Sequence, residues 1–129
     1  MNITRITIIL IGFFFLLIIP KEASACDITF KVIKGEKEAY NKGDTITVVV
    51  DLNLTHRSCP VAIKETKFKT KGLKVIKATP WKQITSMKYK RKLLIVVGES
   101  KKGILMINAI RTCEKDGGFG SLKLEAAIN

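Results

Sequence analysis

Between Asp44 and Leu54 the side chains alternate with a period of two: Ile46, Val48, Val50, Leu52 and Leu54 share one face, and Thr45, Thr47, Asp51 and Asn53 share the other. An α-helix would scatter these apolar residues around its circumference, whereas extended chain collects them on one side. The segment therefore predicts a strand with one buried face. Its backbone N–H and C=O groups need partners on both edges, so the rest of the chain has to supply more strands.

It does so in short pieces. Ile28, Phe30 and Val32 alternate with Thr29, Lys31 and Ile33 in a first strand, and the polar stretch from Gly35 to Gly43 turns the chain toward the second. Val61 to Lys71 predicts a third strand, with a bulge where Ile63 and Phe68 fall on opposite parities. Lys71-Gly72 makes a turn, Leu73 to Ala78 a fourth strand, and Thr79-Pro80-Trp81 breaks it. Met87, Tyr89, Leu93, Ile95 and Val97 alternate with Lys88, Lys90 and Lys92 in a long fifth strand, whose lysines suit an exposed or edge position. The sixth strand, around Leu105, Ile107 and Ala109, is apolar on both faces and is expected to be central. Gly117-Gly118-Phe119-Gly120 reads as a tight loop crossing between sheets, and the last strand turns Leu122, Leu124, Ala126 and Ile128 inward.

Seven strands without an amphipathic helix predict an all-β, antiparallel sandwich over residues 26–129. The lead-in Tyr40-Asn41-Lys42-Gly43-Asp44-Thr45-Ile46 resembles the approach to the second strand in many bacterial immunoglobulin-like domains. That resemblance implies a seven-stranded immunoglobulin-like sandwich. Two antibody features are missing, since no cysteine lies in the second strand and Trp81 is not in the third.

Residues 1–25 stand apart. One positive charge, Arg5, precedes an uncharged, largely apolar run from Ile6 to Ile19, and Ala23-Ser24-Ala25 offers small residues for cleavage. This is the pattern of a signal peptide, and the run falls short of the roughly 20 residues of a membrane-spanning helix. Cleavage after Ala25 makes Cys26 the first residue of the exported chain, and Ser24-Ala25-Cys26 partly matches a bacterial lipoprotein signal, so lipidation of Cys26 is a further expectation.

Residues 26–129 keep 21 basic and 10 acidic residues, a formal charge of +11. Such a charge attracts anionic surfaces without specifying a fold. Export argues against nucleic acid, leaving an envelope protein, an anionic polymer or a membrane surface as the expected partner, in the periplasm or at the cell surface.

If the strands run up and down, the loop carrying His56, Arg57 and Cys59, the segment at Trp81, and the loop carrying Cys113 and Lys115 all fall at the pole where Cys26 begins. Lys37, Lys71 and Glu99 fall at the other. End loops held by rigid sheets are a common binding surface, so Arg57, Trp81, Arg111 and Lys115 are candidate contact residues. Cys59 and Cys113 are expected to form a disulfide in an oxidising compartment, contributing about 4 kcal/mol by closing a long loop. The competing reading gives Cys26, His56, Cys59 and Cys113 to a zinc or copper site, with a redox, electron-transfer or metal-handling role. No pair of carboxylates and no nucleophile–base set emerges from the spacing, so a non-catalytic role is expected.

Overall fold

The computed structural model describes residues 26–55, 62–112 and 117–128. Eight strands are present among them: β1 (Cys26–Lys34), β2 (Thr45–Leu54), β3 (Lys67–Lys71), β4 (Leu73–Ala78), β5 (Lys82–Gln83), β6 (Lys88–Val97), β7 (Ile104–Arg111) and β8 (Gly118–Glu125). No described helix is long and apolar enough to cross a membrane. The leader at residues 1–25 lies outside the described residues.

The strands form one sheet in the order β3-β7-β8-β1-β2-β6-β4, with β5 also paired to β6. The halves β1-β2-β6-β4 and β3-β7-β8 share a single apolar core, which takes Ile46, Val48, Val50, Leu52, Leu93, Ile95 and Val97 from the first half and Leu105, Ile107 and Ala109 from the second. The sheet is therefore curled over on itself in a sandwich-like form. The alternation in β2 is realised as read: its inward residues from Ile46 to Leu52 are each 1% exposed or less.

Several features differ from the sequence reading. The sheet is mixed rather than antiparallel, because β1 pairs in parallel with β8 through Cys26 with Gly118 and Asp27 with Phe119. Chain reversal explains this, since the first and last members of an odd series of up-and-down strands run in the same direction. Gly118 and Gly120 do not form a crossing loop but lie within β8, where a side chain would collide with Cys26 and with the Ile28 carbonyl. Their glycines let two backbones approach closely.

The eighth strand, β5, does not alter the polarity of the fold. Both β4 and β5 run antiparallel to β6, so Leu73 to Gln83 is one strand direction interrupted at Pro80. Proline has no N–H for the ladder, and Thr79 bridges the break by bonding Lys92 through its backbone (2.9 Å). The expected bulge between Ile63 and Phe68 is instead a 3-10 turn at Ile63–Glu65, with the strand starting at Lys67. Ile128 lies beyond β8 and is 99% exposed rather than inward.

At the far pole, buried Tyr40 extends the closure: its N–H donates to Glu125 O, and Ala127 N–H donates to Tyr40 O. The turn that follows is organised by Asp44, whose carboxylate accepts from Asn41 N–H at 2.8 Å and pairs with Lys37 Nζ at 2.9 Å. The backbone hydrogen bond from Asn41, followed by Lys37, holds the Asp44 pKa below its ordinary 3.8. A depressed folded-state pKa means that stabilisation is complete above the ordinary value and is lost as pH falls through the lower one.

Two outcomes are expected. Ile95→Ala, at a fully buried position, should lower unfolding free energy by about 2–5 kcal/mol in urea titration. Asp44→Asn should flatten the decline in stability below about pH 4, measured as the denaturant midpoint against pH.

Candidate functional site

The pole at which β1 begins is assembled from strand ends. Cys26 pairs with Leu54 on one side and with Gly118 on the other, and Gly118 pairs in turn with Arg111. Leu54 N–H also donates to Met87 O at 2.8 Å. The described residues flanking the two cysteine-bearing loops, Thr55 and Ala62 for one and Thr112 and Gly117 for the other, therefore project from this common end. His56, Arg57, Cys59, Cys113 and Lys115 themselves lie outside the described residues.

Arg111 has an inward part in this arrangement. It is 2% exposed, so it is not a surface contact in the sense the sequence suggested. Its Nη1 donates to Thr66 Oγ1 at 2.9 Å and to Ala62 O at 3.1 Å, with Ile63 O at 3.3 Å. Thr66 Oγ1 in turn donates to Ile63 O at 2.8 Å. The last side chain of β7 thus ties down the chain as it leaves the first loop. A guanidinium suits this task because one charged nitrogen, Nη1, reaches two carbonyls and the Thr66 hydroxyl. Ala62 O and Ile63 O also accept from the backbone N–H groups of Glu65 and Thr66, so Arg111 adds a second tie to a turn that is already closed.

Trp81 is half-buried, and its ring stacks on Phe68 with centroids 6.5 Å apart, while Phe30 meets Phe68 edge-on at 6.5 Å. Phe68 belongs to β3 and Trp81 follows β4, so the stack joins the two ends of the curled sheet, which share no ladder. Arg91 lies over both rings, 5.1 Å from the Trp81 centroid and 5.8 Å from that of Phe68. Its Nε donates to Thr79 O at 3.0 Å, and burial pulls its pKa below the ordinary value. Sequence patterning missed Arg91, although a cation on the apolar parity of β6 was the available signal.

Cys26 is fully buried, with Gly118 packed against it. Beside the pole, on the outer face of β1, β2 and β6, a groove of about 440 Å³ is bordered by Asp27, Asp51, Asn53, Ile84, Lys88 and Lys90. Asp51 and Lys90 pair across it at 3.1 Å.

Comparison of the chain with protein-family profiles, with curated proteins and with solved structures returns no match.

Replacing Arg111 by Met should cost about 1–3 kcal/mol of unfolding free energy, because the turn from Ala62 to Thr66 loses the charged donor that ties it to the end of β7. Arg111→Lys should recover only part of that loss, and urea denaturation of both variants measures it.

Proposed function

We propose that residues 26–129 form an exported immunoglobulin-like binding or accessory domain, non-catalytic, that engages a protein or anionic polymer of the cell envelope through the cysteine-bearing pole. The strand order supports the fold reading. Immunoglobulin sandwiches pair strands A-B-E-D in one sheet and C-F-G in the other. Lettered in chain order, with β5 as the continuation of D, the present halves β1-β2-β6-β4 and β3-β7-β8 follow those two orders.

The observation that carries the functional reading is the junction of Leu54, Cys26, Gly118 and Arg111 in neighbouring strands. It roots both polar loops in one rigid platform, and Arg111 fastens the return of the first loop. Strand ends held in this way fix where each loop leaves and re-enters the sheet. Arg57 and Lys115 are the proposed contacts, together with half-buried Trp81. The leader supports export, and the oxidising compartment it implies suits a Cys59–Cys113 disulfide joining the loops.

Photo-crosslinking residues placed at 57 or 115 in the chain expressed in a bacterial envelope should capture a discrete partner. The same probe at 42 or 101, at the far pole, should not. Equal adduct patterns from the two poles would sink the assignment. Mass mapping after alkylation should find Cys59 and Cys113 blocked until reductant is added.

A further inference from the structure

The tetrapeptide Lys-Val-Ile-Lys occurs twice, at residues 31–34 in β1 and 74–77 in β4. Each copy contains a register shift, between Val32 and Lys34 in β1 and between Val75 and Lys77 in β4. A bulge of this kind inserts one extra residue and bends the strand locally. The inserted residues are Ile33 and Ile76, respectively 47% and 50% exposed.

The two copies also meet in register. Lys34 pairs with Thr47, Thr47 with Leu94, and Leu94 with Lys77, so one row of the sheet ends in a bulge lysine on each side. Lys31 lies on the row through Val49 and Lys92, and Lys74 on the row through Val96 and Thr45. Because β1 and β4 run in opposite directions, the copies are related by an approximate two-fold axis through the middle of this face. Four exposed lysines thus surround a floor of half-buried Thr47, Val49, Leu94 and Val96. At strand spacings of about 4.8 Å the face is about 15 Å wide. The acidic residues of the same face, Asp27 and Asp51, lie two or more residues nearer the loop pole, and Asp51 is paired with Lys90.

We propose that this face docks on an anionic phospholipid bilayer, with Lys31, Lys34, Lys74 and Lys77 against the headgroups and Ile33 and Ile76 entering the headgroup layer. Charge complementarity selects an anionic partner. The choice of a bilayer over a soluble polyanion follows from the flanking isoleucines. A polyanion in water gains little from half-exposed aliphatic side chains beside each lysine pair, whereas an interface takes up both kinds of group in one plane. Each lysine near such a surface adds to the attraction, and salt weakens it. This face is distinct from the loop pole, so the inference stands or falls apart from the pole's partner.

The test is sedimentation of the exported chain with vesicles of phosphatidylcholine alone or mixed with phosphatidylglycerol. The unaltered chain should favour the anionic vesicles, and equal partition onto both would overturn the proposal. Changing Lys31, Lys34, Lys74 and Lys77 to Gln should reduce partition onto anionic vesicles by about tenfold or more. Changing Lys67, Lys69, Lys71 and Lys123 to Gln removes equal charge from the other half of the sheet and should cost less than about threefold. Equal losses would mean that net charge alone acts, which refutes a dedicated face. Ile33→Ser with Ile76→Ser should weaken vesicle binding by about threefold or more while leaving heparin retention unchanged. If it leaves vesicle binding unchanged, the ligand is a soluble polyanion and the bilayer assignment fails. Far-UV circular dichroism checks folding; should the fourfold variant not fold, Lys34→Gln with Lys77→Gln is read against the same prediction at a smaller loss.

Discussion

One close approach of backbones holds this fold together. The first two residues of β1 bond simultaneously to β2 and to β8, and that shared strand joins two half-sheets into a continuous curl. The approach is possible because β8 presents Gly118 and Gly120 where any side chain would strike Cys26 or Ile28. Without those glycines β1 would pair with β2 alone, and the half containing β7 would lose its connection at the loop pole. The same contact buries Cys26 and sets the spacing between the strand ends at Leu54 and Arg111.

The opposite ends of the curl are not closed by hydrogen bonds. There Gly72 alone links β3 to β4, and its carbonyl accepts from Gly98 N–H at 2.8 Å. Farther along, Phe68, Trp81 and Arg91 fill the gap with rings and a guanidinium. Stacked aromatic groups with a cation over them can contribute about 0.5–2 kcal/mol beyond simple burial. Arg91 and Arg111 thus do comparable work at two sides of one pole. Each is an arginine on the inward parity of its strand that donates to backbone carbonyls of another segment.

The outer surface divides its basic residues unevenly. Along β3, Lys67, Lys69 and Lys71 flank an edge strand, a placement that discourages pairing with another chain. On β1 and β4 the lysines come with exposed isoleucines at matched bulges, which edge protection does not require. The formal charge of +11 on residues 26–129 is therefore not one undifferentiated coat. Its two parts sit in different chemical settings and invite different partners.

Strand identity was legible wherever one face met the core and the other met water. That condition holds through β1, β2 and β6, and there the period of two was enough. The meeting of the strand ends Leu54, Cys26, Gly118 and Arg111 was legible too, because it depends only on how often the chain reverses. Tertiary structure decided what pattern cannot express. Whether Gly118 and Gly120 make a loop or a strand depends on another backbone lying against them. Whether Arg111 faces a partner or the interior depends on a hydroxyl and two carbonyls 45 to 49 residues away in the chain. Pairing across β2 and β6 set the two Lys-Val-Ile-Lys segments in one row, a relation between residues 43 positions apart. Alternation is a property of neighbours and can be read locally. Register, closure and the direction of a buried cation are set by contacts between segments distant in sequence, and those exist only once the sheet has curled.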